Sequence, residues 1–97
     1  MKVHWTDLAV KHLADIHEYI ARTSPPYALR MVDRLTRRSQ QIGSFPDAGR
    51  VVPRKNDQNL REVFEGPYRI VYRIKADQID VVAVVHGSRK WPTGRKS

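Results

Sequence analysis

Polar and apolar positions divide this chain into a helical half and a strand half. Lys2 to Trp5 alternates polar and apolar, the period of a short strand. Ala9, Leu13, Ile16 and Ile20 then follow at spacings of four, three and four, which puts them on one helical face. Thr6 offers a hydroxyl N-cap, Asp7 places an acid in the first turn, and Pro25-Pro26 stop the helix near Arg22 or Thr23. Ser24 predicts the N-cap of a second helix, with Pro25 at a tolerated first-turn position. Its apolar stripe is Ala28, Val32, Leu35, Ser39 and Ile42, while Arg30, Arg34, Arg37 and Arg38 fall mostly off that stripe. Two amphipathic helices with a short break predict an antiparallel helical hairpin.

The stretch from Gly43 to Asn59 is dense in Gly, Pro, Asn and Asp and predicts a loop, with a brief extended piece at Arg50–Pro53. The remainder predicts β structure. Leu60 to Glu65 is a short strand, broken by Gly66-Pro67. Tyr68, Ile70, Tyr72 and Ile74 alternate with Arg69, Val71, Arg73 and Lys75, a period of two. After an Ala76-Asp77 turn, Gln78 to His86 is the most β-branched segment and is expected to be the central strand. The order β-α-α-β-β-β predicts an α+β domain, with the helical hairpin packed on one face of a mainly antiparallel sheet.

Alternation then assigns faces. The Tyr/Ile set of the penultimate strand belongs under the helices, because arginines cannot be buried there without partners. In the last strand Ile79, Val81, Ala83 and Val85 go inward, and Asp80, Val82, Val84 and His86 outward. In the first strand after the loop Leu60 and Phe64 go inward, with Glu62 an awkward companion. The uncovered face is therefore expected to present Arg61, Arg69, Arg73 and His86 on a floor of Val63, Val71, Val82 and Val84, a cationic trough. Four valines on a purely solvated face would be surprising, which favours a trough that receives a binder.

Composition narrows the class. With 97 residues the chain is expected to be a single domain, residues 1–97, of which 87–97 form a basic, partly flexible tail. Hydrophobic residues make up 40%, enough for a packed core and against wholesale disorder. There is no cysteine, so disulfides and thiolate metal sites are excluded. No apolar leader begins the chain, and the longest apolar run, Val81 to Val85, is far too short to cross a bilayer, so a cytoplasmic protein without membrane partners is expected. The formal charge is +8, concentrated in residues 25–59 and in the tail. Such a field attracts nucleic acid, acidic protein or anionic lipid without choosing among them.

No glycine-rich phosphate loop, nucleophile elbow or zinc spacing is present. His12 and His17 lie five apart and share no helical face, so no metal and no cofactor is expected. His86 closes the most apolar strand, where an arginine of the neighbouring strand could share its site and push the ring toward neutrality. Trp91 is expected to pack the tail onto the domain, with partner binding as its second role.

The chain resembles ParE-like toxins of the ParE/RelE toxin–antitoxin superfamily over nearly its whole length. The resemblance is carried by Trp5-Thr6 with Ala9 and Leu13; Ile16 with Tyr19-Ile20; Ser24-Pro25 with Ala28; Phe45-Pro46 with Gly49-Arg50; Leu60-Arg61-Glu62; Tyr68-Arg69-Ile70-Val71-Tyr72-Arg73; and Val84-Val85-His86-Gly87 with Arg89. It implies the toxin half of a two-gene, plasmid-stabilising module, neutralised by a cognate acidic antitoxin that wraps it. It also implies that any direct DNA binding comes through the antitoxin. Arg61, Arg69, Arg73, His86, Arg89 and Trp91 are the candidate contacts with target or antitoxin.

Two targets follow from the resemblance. ParE members are inhibitors of DNA gyrase, whereas RelE-type relatives cut mRNA on the ribosome. RNA cleavage needs a base, an acid and cations for the phosphorane-like charge. Arg61, Arg69 and His86 are the residues that would supply them here. The chain has Gly87 rather than Tyr after His86, and its His86-Gly87-x-Arg89 ending is closer to the ParE pattern, which favours an inhibitor that acts by binding. A plain nucleic-acid-binding module ranks third, because no helix presents base-reading residues in a known motif.

Overall fold

The computed structural model describes residues 1–53 and 55–88. β1 (Lys2–Trp5) leads into α1 (Asp7–Ala21) and α2 (Pro25–Ser44). A 3-10 turn at Pro46–Ala48 precedes β2 (Arg50–Val51), β3 (Leu60–Glu65), β4 (Tyr68–Ile74) and β5 (Gln78–His86). The strands form one sheet in the order β1-β5-β4-β3-β2, in which β1 runs parallel to β5 and every other pairing is antiparallel. The centre of the sheet is thus β4. β5, expected there, lies one place over because β1 pairs on its other edge. The brief extended piece in the loop is the two-residue β2.

Local chemistry sets the helix ends where the sequence puts them. The Thr6 hydroxyl accepts the Ala9 N–H at 3.3 Å and donates to the Val81 carbonyl at 2.8 Å, so one side chain caps α1 and ties it to β5. Ser24 caps α2 by accepting the Tyr27 N–H at 3.3 Å. Ala9, Ile16 and Ile20 of α1 and Ala28, Met31, Leu35, Ser39 and Ile42 of α2 are buried. Ser39 tolerates this because its hydroxyl donates to the Thr36 carbonyl at 2.7 Å and accepts the Trp5 indole N–H at 3.2 Å. Beneath the helices lie Val63, Tyr68, Ile70, Tyr72, Ile79, Val81 and Val84.

Two strands depart from the expected faces. The β4–β5 register pairs Val71 with Ala83 but Tyr72 with Val81, so Val82 is an extra, bulged residue. Ile79 and Val81 point toward the helices as expected. Past the bulge the phase inverts: Val84 enters the main core, while Ala83 packs with Val71 on the other side. His86 sits across from Tyr68, on the helix-bearing side and not on the uncovered face. In β3 the sets are exchanged throughout. Arg61, Val63 and Glu65 lie opposite Tyr72, Ile70 and Tyr68 under the helices, and Leu60, Glu62 and Phe64 lie opposite Arg73, Val71 and Arg69 on the uncovered face. Glu62 decides this: its carboxylate belongs beside Arg69, not in the apolar core.

Candidate functional site

The uncovered face is built from cross-strand rows. Phe64, Arg69 and Val85 form one; Arg50, Glu62, Val71 and Ala83 form the next; Leu60, Arg73 and Asp80 form the third. Val52, Leu60, Val71 and Ala83, with Val82 beside them, make a second apolar cluster separate from the main core. The valine floor is therefore real, but Val71 and Val82 supply it with Val52, whereas Val63 and Val84 are core residues.

Its cations are held by carboxylates. Glu62, with a fully buried side chain, takes Arg50 Nε at 2.7 Å and Arg69 Nη1 at 3.2 Å. Arg73 meets Asp57 at 2.6 Å and Lys75 meets Asp80 at 2.7 Å. The face is an apolar bed rimmed by ion pairs rather than a trough of free positive charge. The Asp57 carboxyl is held below its ordinary value by the Asn59 N–H and then by the Arg73 guanidinium. Lys75 does the same for Asp80. Phe64 stands on this face 49% exposed, with the Arg50 guanidinium 5.9 Å from its ring centre.

Arg61, expected on the uncovered face, lies on the other. It donates to the Gly49 carbonyl from Nη1 at 3.0 Å and to the Gln58 carbonyl from Nε at 3.0 Å. Beside it the Tyr72 hydroxyl accepts the Gly49 N–H at 3.0 Å and donates to the Pro46 carbonyl at 2.6 Å. Burial of that phenol pushes its pKa up. Arg61 and Tyr72 thus pin the Pro46–Arg50 segment.

The nuclease set Arg61, Arg69 and His86 is not brought together. Arg69 faces away from the other two. The strand partners of Arg61 and His86, Tyr72 and Tyr68, are four residues apart on β4, about 13 Å at strand spacing. Among the described residues no arginine is paired with His86. Its neighbours are the Tyr68 ring, edge-on at 5.6 Å between centres, and Ser88, whose N–H donates to Nδ1 at 3.2 Å. Arg69 and Arg73 do share the uncovered face as expected. Arg89 and Trp91 lie outside the described residues.

Sequence reasoning missed Arg50, Glu62 and Phe64 as members of the uncovered face. It also missed His12, Asp15, Tyr19 and Tyr68, which with His86 and Ser88 line a cleft on the helix-bearing side. The available signal for the first group was the buried acid itself: a Glu between apolar neighbours needs a cation on the next strand. Only the bulge brings the second group together, and an unbroken apolar run hides it.

Comparison with solved structures defines the class. The fold matches a chain of the chromosomal ParDE toxin–antitoxin system of Pseudomonas aeruginosa with a TM-score of 0.75 at 21% identity, covering 89% of this chain and 95% of that one. It matches a chain of the RelBE2 toxin–antitoxin complex of Mycobacterium tuberculosis with a TM-score of 0.65 at 20% identity, covering 88% and 95%. The architecture is that of the ParE/RelE superfamily. Residues 3–91 match the family described as the ParE toxin of the type II toxin-antitoxin system parDE, and the chain belongs to that family. It is 31% identical over 91 residues to the toxin candidate Y4kP of Sinorhizobium fredii, across 94% of this chain and 93% of that protein. It is 33% identical over 89 residues to toxin RelE2 of Caulobacter vibrioides, across 91% and 97%.

Proposed function

We propose that this ParE-family toxin is neutralised by an acidic antitoxin segment laid across the uncovered sheet face, and that the released toxin inhibits DNA gyrase by binding it. The observation that carries the first part is the second apolar cluster. Val52, Leu60, Val71 and Ala83 pack on a face that, among the described residues, no helix covers, edged by Phe64. These four are themselves buried by the side chains around them, and Phe64, 49% exposed at their edge, is the apolar surface that this face offers a partner. The +8 chain favours an acidic occupant, and the similar structures from P. aeruginosa and M. tuberculosis come from toxin–antitoxin systems. Arg69 and Arg73 at the edge of this bed are the contacts of choice. His86 belongs to the other side and Arg61 is engaged with the loop. DNA is contacted through the antitoxin, and the action is in the cytoplasm; among the described residues no helix is long and apolar enough to cross a membrane.

The separation of Arg61, Arg69 and His86 supports binding over RNA cleavage as the mode of action. Purified toxin is expected to block gyrase supercoiling in proportion to its concentration, and to leave translated messages uncut in a ribosome-containing translation reaction. Normal supercoiling at excess toxin, together with codon-positioned cuts abolished by His86→Ala, would establish the ribosomal endonuclease instead. Hydrogen exchange on the antitoxin complex is expected to slow at β3 and β4.

A further inference from the structure

Among the described residues, every arginine but two lies within 4.0 Å of a carboxylate. The exceptions are Arg22, which closes α1, and Arg30, near the start of α2. Each is held against the tyrosine three residues before it. The Arg22 guanidinium lies 5.9 Å from the centre of the Tyr19 ring, and that of Arg30 lies 5.6 Å from the centre of Tyr27. Arg22 makes no ion pair even though Glu18 stands one helical turn before it. A guanidinium held against a ring keeps its planar fork of N–H donors for a carboxylate.

The segment that joins the two helices is stiff. The Thr23 and Ser24 N–H groups both donate to the Ile20 carbonyl, at 3.1 and 2.9 Å, the Ser24 hydroxyl caps α2, and Pro25-Pro26 fix the backbone beyond. Both arginine–tyrosine pairs are thus in place before a partner arrives. Burial raises the Tyr68 pKa, and the phenols of Tyr27 and Tyr19 raise it further, so the three rings share one neighbourhood. Tyr19 and Tyr68, with Ile16, Val84 and Val85, also wall a cleft of about 510 Å³. Asp15 in the same cleft opposes an anion there, so the pocket suits an apolar side chain.

On the reading that the released toxin binds gyrase, we propose that the tip of the helical hairpin is the surface that engages it, by taking an acidic protein segment. Carboxylates of that segment meet Arg22 and Arg30, and an apolar side chain packs on the tyrosines and into the cleft. Two cations without carboxylates call for an anionic partner, and tyrosine with arginine is the composition of binding hot spots. A nucleic-acid backbone also carries anions, but two arginines are a short track for a polyanion, and Asp15 and Glu18 beside them repel one. The tip lies on the helix-bearing side, away from the sheet face assigned to the antitoxin, where the cations already have carboxylate partners.

The test measures binding of the whole toxin to DNA gyrase, together with inhibition of supercoiling. Arg22→Gln with Arg30→Gln is expected to weaken both by about 10- to 100-fold. Arg22→Lys with Arg30→Lys keeps the charge and loses the planar fork, so it is expected to recover only part of that loss. Tyr19→Ala is expected to speed dissociation from gyrase. All three side chains are exposed, so circular dichroism should show unchanged folding. Dissociation of the antitoxin complex is expected to match the parent in every variant. Full inhibition by the glutamine pair overturns the assignment. Full recovery by the lysine pair does too, since it would leave only a long-range field. Two further outcomes overturn it by naming another occupant while gyrase binding holds in the glutamine pair: faster antitoxin dissociation gives the tip to the antitoxin, and lost affinity for a short single-stranded DNA gives it to nucleic acid. A parent toxin without effect on gyrase defeats the gyrase reading and this contact with it; a failure confined to the variants defeats the contact alone.

Discussion

Glu62 has a fully buried side chain on a face that otherwise looks outward, and Arg69 beside it is nearly as buried. Removing one member of a buried pair costs more than the pair contributes, because the remaining charge keeps its desolvation penalty. Glu62→Ala should therefore lower unfolding stability by about 3–5 kcal/mol in urea titration. The double variant Glu62→Leu with Arg69→Met should recover much of that loss. A Glu62→Ala protein as stable as the parent would mean that the pair is not an element of the folded state. Asp57 and Asp80 report differently. Each has a folded pKa depressed below its ordinary 3.8, so each stabilises the fold above that value and loses its contribution as pH falls through the lowered one. Stability should decline below about pH 4, and Asp57→Asn should flatten part of that decline. A flat profile down to the acid transition would contradict the Asp57–Arg73 and Asp80–Lys75 contacts.

At the level of elements, the periodicity of the helices carried their boundaries, caps and buried stripes almost unchanged, because a 3.6-residue period over three or more turns leaves little freedom. The strands were less legible. In Val81-Val82-Ala83-Val84-Val85 every residue is apolar, so no polar position marks where Val82 bulges and the phase inverts. In Leu60–Glu65 both alternate sets mix apolar and charged residues, and only the cross-strand partner Arg69 selects a face. The candidate site inherited both errors: Arg61 and His86 changed sides, while Arg69 and Arg73, in a strand with clear alternation, did not. The docking of β1 was also invisible in sequence. Gly43, in the last turn of α2, lies so close to β1 that an added Cβ would come within 2.5 Å of the Met1 carbonyl oxygen and 3.0 Å of a Val3 methyl. Gly43→Ala gains helix propensity of about 0.5–1 kcal/mol and loses about 1–3 to overpacking. The expected result is a lower melting temperature with faster amide exchange in β1 and little change in β4. Exchange that quickens equally in both strands would argue against a local β1–α2 contact.

The whole molecule separates long-range charge from short-range packing. Its positive excess lies on α2 with the following loop and in residues 87–97, whereas the cations of the uncovered sheet face are matched to Glu62, Asp57 and Asp80. Field and contact surface are therefore different parts of the protein, and they should govern different rates. Charge on α2 draws an acidic partner inward, an effect that salt screens; the apolar bed and Phe64 set how long it stays. In stopped-flow binding of an acidic antitoxin segment, the association rate should fall as ionic strength rises. Arg30→Gln with Arg37→Gln, both on the exposed side of α2, should slow association and leave dissociation nearly unchanged. Phe64→Ala should do the reverse, speeding dissociation roughly tenfold with the salt slope of association preserved. If dissociation ignores Phe64 and follows the α2 arginines instead, the antitoxin docks on the helices, and the sheet bed must be assigned to another occupant.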